Sequence, residues 1–125
     1  MTVDKAIKDY DQLYPNTFPY EKKLEFISRL DKRIFDDIYS KYENCSPESF
    51  TGYLHDCSPT TELLVPAPYD SLYIKFIAAQ IDLINGDISR YNNSANVFNS
   101  GFYDFANMYN RTHKWKQRTK MGGTE

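Results

Sequence analysis

Apolar residues recur at helical spacing in two stretches near the start of the chain. In the first, Val3, Ile7 and Tyr10 follow Thr2, a residue type that caps helix N-termini, and Pro15 closes the stretch. In the second, Pro19 suits a first helical turn, and seven apolar residues follow at steps of three or four: Tyr20, Leu24, Ile27, Leu30, Ile34, Ile38 and Tyr42. The pattern predicts a short amphipathic helix and then a long helix over about residues 19–42.

Residues 43–68 break the helical pattern. This segment holds four of the six prolines and Gly52, which argues against a helix. Two short stretches, 50–54 and 62–65, lie on either side of a turn at 56–60 and are candidate strands of a small β-hairpin. Because an isolated two-stranded ribbon is marginally stable, we expect this hairpin or extended loop to pack on its own helices or on another subunit.

From Pro68 onward the apolar pattern is the most regular in the chain, a heptad seam of about five repeats: Ile74, Ile77, Ile81, Ile84, Ile88, Tyr91, Ala95, Phe98, Phe102, Phe105 and Tyr109. The sequence Asn85-Gly86-Asp87 allows a cap, a turn and a new cap, which would give two antiparallel helices. The phase of the seam does not change across Gly86, and this favours one helix of about 40 residues, straight or kinked there. Seven seam residues are expected to pack against the first two helices: Ile77, Ile81, Ile84, Tyr91, Phe98, Phe102 and Phe105.

The two flanks of the seam differ in composition. Asn85, Asn92 and Asn99 recur every seven residues on one flank, whereas Ser94 and Gly101 keep the other flank small. Asn is a poor helix former, so its repetition reflects either composition alone or packing and hydrogen bonding at that surface.

Length, composition and charge fit one domain with a basic end. A chain of 125 residues can bury one core, and 41% apolar residues exclude a fully disordered chain. No run approaches the ~18 apolar residues of a membrane span, and the charged N-terminus differs from a signal peptide, so we expect a soluble cytoplasmic protein. Residues 1–110 carry 10 Lys and Arg against 16 Asp and Glu, a net −6, while 111–125 carry 5 against 1, a net +4. We therefore expect an all-α domain over 1–110 and a basic flexible tail over 111–125.

Few residues suggest catalysis or metal binding. Asp36 and Asp37 are adjacent, so on a helix they point about 100° apart and fit a solvated face better than a shared reaction centre. No phosphate-binding glycine motif is present. The irregular segment contains four residues of types that zinc accepts, but without paired ligand spacing: Cys45, His55, Asp56 and Cys57. We expect free thiols, no metal, no cofactor and no enzyme activity.

Five stretches between residues 51 and 113 carry a family resemblance: TGY at 51–53, TELLVPAPYDSLY at 61–73, IDLINGDISRYNNS at 81–94, FNSGF at 98–102 and YNRTH at 109–113. They resemble small phage and prophage proteins described as head-tail connector or head-completion proteins. The resemblance implies a mostly helical subunit that forms a ring of about twelve copies between the portal and the tail. It implies three partners, namely the portal protein, other copies of the chain and the next tail or adaptor protein. It also implies host cytoplasm during assembly and then the virion.

Two sets of residues are predicted to bind these partners. The loop has more apolar surface than a small hairpin can bury by itself, and its candidates are Phe50, Tyr53, Leu54, Leu63 and Leu64. In the tail, cations alternate with a single tryptophan, and the candidates are Arg111, Lys114, Trp115, Lys116 and Arg118. This composition suits an acidic protein surface or the phosphates of packaged DNA, and both remain open. The alternative function is a small DNA-binding or regulatory accessory protein that acts through the basic tail.

Overall fold

Four α-helices form the part of the chain that the computed structural model describes, residues 1–42 and 50–113. They are α1 (Val3–Leu13), α2 (Tyr20–Asp37), α3 (Leu72–Ile84) and α4 (Ile88–Thr112), with single 3-10 turns at Tyr39–Lys41 and Tyr69–Ser71. No β-strand forms within the described residues, and α4 is the longest helix. The prediction of an all-α fold is confirmed.

The first two helices begin close to the predicted residues, and α1 also ends close to the predicted one. The Oγ1 of Thr2 accepts a hydrogen bond from the backbone N–H of Lys5 at 3.2 Å, which confirms the predicted cap of α1. The second helix is shorter than predicted, because the backbone of Ile38 leaves the α region (φ −121°, ψ −67°) and the chain continues as a 3-10 turn to Lys41.

The favoured single helix of about 40 residues is wrong, because the chain turns back at 85–87. Gly86 has a φ of +73°, and the side chain of Asp87 accepts from the N–H of Arg90 at 3.1 Å and caps α4. Residues further back along α3 contact residues further forward along α4: 82 contacts 94, 76 contacts 98, and 72 lies near 101. The helices α3 and α4 therefore form the antiparallel pair that the sequence left as the alternative.

The two flanks of the seam have different surroundings. Ser94 donates a hydrogen bond to the Asp82 carboxylate at 2.8 Å, and a Cβ on Gly101 would lie 3.0 Å from Cδ2 of Leu72. The small flank thus lies at the α3–α4 contact, where it permits close approach. On the other flank, the exposed side chains of residues 85, 92 and 99 make no hydrogen bond within the described parts of the chain.

The core lies where α1, α2 and α3 meet the second half of α4. Five of the seven predicted seam residues are buried: Ile77, Ile81, Phe98, Phe102 and Phe105. Tyr91 is half-buried, and Ile84 is 51% exposed because it lies at the turn, beyond the reach of the first two helices. An aromatic cluster closes the far end of α4, where the rings of Tyr39 and Tyr109 stack at 4.8 Å.

The loop before α3 is extended and does not form the predicted hairpin. Its residues 61–63 pair with the N-terminal segment instead: Val3 N–H donates to the Thr61 carbonyl at 3.0 Å and Leu63 N–H to the Met1 carbonyl at 2.9 Å. Thr2 and Glu62 form an isolated antiparallel bridge. Because these backbone groups already have partners, residues 50–54 cannot pair with them.

Candidate interaction surface

The predicted loop residues lie mostly against the chain's own helices. Leu63 is buried, and Phe50, Tyr53 and Leu64 are half-buried, with the Phe50 ring 6.4 Å from that of Phe35 on α2. Leu54 is 73% exposed. The excess apolar surface that suggested an intersubunit contact is thus largely covered within the subunit. Partner binding by these residues stays a prediction, with Leu54 the accessible member.

A buried carboxylate fixes this loop to the helices. Asp31 on α2 is 0% exposed and accepts hydrogen bonds from the hydroxyls of Tyr53 and Tyr73 and from the N–H of Leu64, the last two at 2.6 and 3.1 Å. The Tyr73 hydroxyl in turn accepts from the N–H of Val65 at 2.8 Å. These five residues, which we call the Asp31 cluster, satisfy buried polar groups of the loop, α2 and α3 together.

The electrostatics of the Asp31 cluster follow from its burial. Burial raises the pKa of Asp31, and the hydrogen bonds from Tyr53, Tyr73 and Leu64 oppose that shift without reversing it. Burial, and then the neighbouring carboxylate, raises the pKa of Tyr53 and that of Tyr73 well above the usual value of a phenol. Both phenols therefore remain protonated donors, and the arrangement serves to hold the loop.

Sequence reasoning missed this cluster, although the sequence contains a signal for Asp31. The residue lies four positions after Ile27 and three before Ile34, so it falls on the apolar stripe of α2. An acidic residue on a buried stripe requires partners. Its partners Tyr53 and Tyr73 are 22 and 42 residues away in the sequence, and nothing local identifies them.

An ion pair with a buried lysine fixes the link between α1 and α2. The ammonium of Lys23, whose side chain is 4% exposed, lies 2.5 Å from the carboxylate of Asp11, which also accepts from the amide of Asn16. Burial alone would raise the pKa of Asp11, but the hydrogen bonds from Asn16 and Lys23 outweigh it and lower that pKa. The linker is thereby held against both helices.

Apolar surface remains uncovered where α3 turns into α4. Leu83, Ile84 and Ile88 are 47%, 51% and 65% exposed, and we call these three residues the apolar tip. By contrast, the outward sides of α1 and α2 carry ion pairs such as Lys5–Asp9 and Lys32–Asp36, at 3.0 and 2.7 Å. The apolar tip is therefore a candidate surface for a partner.

Among the described residues, those considered for chemistry do not assemble into a site. Asp36 and Asp37 pair with Lys32 and Arg33 on the solvated side of α2, as predicted. Within the described ranges, no three His, Cys, Asp or Glu side chains are placed to hold a metal ion. Cys57 is half-buried, and Cys45 lies outside the described residues.

The last helix extends past the predicted domain boundary. Arg111 belongs to the last turn of α4 and is exposed, so the helix continues past the expected boundary at residue 110. The other predicted tail contacts lie outside the described residues: Lys114, Trp115, Lys116 and Arg118. Their partner-binding role stays a prediction.

The chain matches no protein-family model, no curated protein and no solved structure.

Across residues 1–42 and 50–113, no helix has both the length and the apolar character that a bilayer span requires. The apolar tip and the Asp31 cluster are accordingly interpreted from their own chemistry.

Proposed function

We propose that this protein is a structural subunit of virion assembly, a head-tail connector that forms a ring between the portal and the tail. The resemblance of five stretches within residues 51–113 to connector proteins supports this proposal, and so does the mostly helical fold that the resemblance implies. Its partners would be the portal protein, other copies of the chain and the next tail or adaptor protein. The subunit would act first in the bacterial cytoplasm and then at the head-tail junction.

The observation that carries the proposal is the apolar tip. Leu83, Ile84 and Ile88 are each about half or more exposed, and they lie close together in the sequence on either side of the turn between α3 and α4. Covering such a surface releases water from apolar groups at ~25 cal/mol per Å², and the three side chains themselves carry no charge. A surface that neighbouring subunits bury in a ring would be exposed and apolar in the isolated subunit, as this one is.

Substitutions in the apolar tip test the proposal. Purified protein is mixed with the portal protein of the same genome, and complexes are measured by native mass spectrometry and negative-stain imaging. We expect the Ile84→Ser, Ile88→Ser double variant to bind portal rings at least tenfold more weakly, since each lost apolar contact costs on the order of 1 kcal/mol. Val97→Ser on α4 is the matched control, because Val97 is 53% exposed but lies away from the turn. Unchanged portal binding by the double variant would count against the tip as the binding surface.

The loop and tail contacts are tested in the same assay. Leu54→Ser examines the exposed member of the loop set, and Trp115→Ala examines the tail. Failure of the unaltered protein to bind portal or to form rings would refute the connector function. Salt-sensitive binding to duplex DNA without portal affinity would instead favour the alternative, a DNA-binding accessory protein that uses the basic residues beyond α4.

A further inference from the structure

A cleft of about 300 Å³ lies between the end of α1, the α1–α2 linker and the α3–α4 pair. Tyr10, Tyr14 and Phe18 supply aromatic rings to its lining, and Asp82 and Arg90 supply charges. Tyr10 is 3% exposed, yet its hydroxyl has no hydrogen-bond partner among the described residues. Because buried phenols nearly always have a partner, this hydroxyl is available to a ligand that enters the cleft.

The carboxylate of Asp82 also keeps an unused acceptor. Its side chain is 16% exposed, and Oδ2 accepts from Ser94 at 2.8 Å. Oδ1 lies 3.8 Å from Nε of Arg90, which is longer than a hydrogen bond, and the Arg90 side chain is 70% exposed. Arg90 can therefore move aside for a closer cation.

The surroundings of the Tyr10 hydroxyl are negative. Burial and then Asp82 raise the pKa of Tyr10 to about 12, and Arg90 lowers it by less than Asp82 raises it. A cleft with an available carboxylate oxygen, a phenol hydroxyl near that carboxylate and aromatic faces fits a guanidinium or ammonium group beside an aromatic ring.

We propose that this cleft binds the basic segment 111–118 of a second copy of the chain. This segment carries four cations around Trp115, and residues 1–110 carry a net −6, so the charges are complementary. Asp82 Oδ1 and the Tyr10 hydroxyl would hold one cation, and the rings of Tyr14 and Phe18 would contact the tryptophan or an arginine. The inference rests on the proposed function, since it states how connector subunits contact one another.

The distance along α4 requires that the segment come from another copy. Arg90 lines the cleft near the start of α4, and Thr112 ends the helix 22 residues later, ~33 Å away at ~1.5 Å per residue. Trp115 follows Thr112 by three residues and can extend at most ~11 Å from it. A subunit cannot place its own tryptophan in its own cleft. The contact is thus head-to-tail, the kind that closes into rings or continues as filaments.

The single tryptophan of the chain makes the contact measurable in the full-length protein. Sedimentation velocity and Trp115 emission are recorded over a range of protein concentrations. We expect larger species and a blue shift to appear together as concentration rises. Asp82→Asn should weaken this association at least tenfold, because a charge-assisted hydrogen bond is lost. Asp104→Asn, which removes an exposed carboxylate of α4 outside the cleft, should leave association unchanged.

Two further variants test the cleft residues and the segment separately. Tyr10→Phe should weaken association without loss of stability, because the hydroxyl has no partner among the described residues. A mixture of Asp82→Asn and Trp115→Ala chains should form 1:1 dimers that do not grow, because one copy retains the segment and the other retains the cleft.

Either of two results would overturn the inference: a blue shift that is independent of concentration, or equal association of Asp82→Asn and Asp104→Asn. Normal portal binding without cleft-dependent association would overturn the inference but leave the proposed function standing. Cleft-dependent association without portal binding would overturn the proposed function but leave the contact between copies standing.

Discussion

Replacing Tyr73 by phenylalanine removes one hydroxyl from the Asp31 cluster and leaves the ring in place. That hydroxyl is fully buried, donates to Asp31 at 2.6 Å and accepts from the N–H of Val65 at 2.8 Å. Its loss leaves two buried polar groups without a partner, each at a cost of about 1–3 kcal/mol. We therefore expect Tyr73→Phe to lower the free energy of unfolding by about 3 kcal/mol or more.

Two other tyrosines provide matched controls for the same chemical change. Tyr53 also donates to Asp31, but the oxygen that it contacts keeps the hydrogen bond from Leu64, so Tyr53→Phe should cost only about 1 kcal/mol. Tyr10→Phe breaks no hydrogen bond among the described residues and should cost nothing or stabilise the fold slightly.

Urea unfolding followed by far-ultraviolet circular dichroism measures all three variants, and equal m-values would show that the unfolding transitions are comparable. The expected order of destabilisation is Tyr73→Phe, then Tyr53→Phe, then Tyr10→Phe. If Tyr73→Phe cost no more than Tyr10→Phe, the Asp31 cluster would have no role in fixing the loop.

Three further predictions concern the core, the turns and pH. The raised pKa of Asp31 means that the folded protein keeps a proton which the unfolded chain releases near 3.8, so the stabilisation from this group should be lost as pH rises through the folded pKa. Urea titrations at several pH values should show this fall in the unaltered protein and not in Asp31→Asn. Phe102→Ala in the core should cost about 3–5 kcal/mol in the same assay, whereas Ile84→Ala at the exposed tip should cost under ~0.5 kcal/mol. Gly86→Ala should lower the free energy of unfolding by about 1 kcal/mol, because of its positive φ alone. Gly52→Ala should cost more, because its Cβ would also lie 2.5 Å from a serine oxygen of α2. Equal melting temperatures of the two variants would contradict this.

The helices were predictable from the sequence because their signals are local. The cap at Thr2 and the apolar steps along α1 and α2 involve residues at most four positions apart. The α3–α4 turn was harder, because Ile84 and Ile88 are four residues apart across it and so keep the period of a continuous helix. Only the chemistry of Gly86 and Asp87 distinguishes the two cases, and the three-dimensional contacts decide in favour of the turn.

The docking of the loop could not be predicted, because it depends on pairings between distant residues. The hairpin expectation assumed that 50–54 would pair with 62–65, its nearest extended neighbour. The N-terminal residues instead pair with 61–63, and Asp31 binds Leu64 across 33 positions. No periodicity in a single sequence specifies such partners. The buried Tyr10 hydroxyl was hidden for the same reason, since its burial involves α1 and α3 together.

The position of the loop changes where partner contacts are expected. With the loop held by Asp31, its apolar side chains face the core, and Leu54 is left exposed. The outward sides of α1 and α2 carry ion pairs whose burial would require desolvation of both charges, which disfavours a dry interface there. At the α3–α4 turn, the exposed side chain of Ile88 carries no charge, so its burial gains the free energy of apolar burial without the cost of desolvating a charge on that side chain. For the proposed assembly we therefore expect contacts at the α3–α4 turn and the adjoining cleft, where the Tyr10 hydroxyl and the Asp82 carboxylate would add the polar groups that can select a basic partner segment.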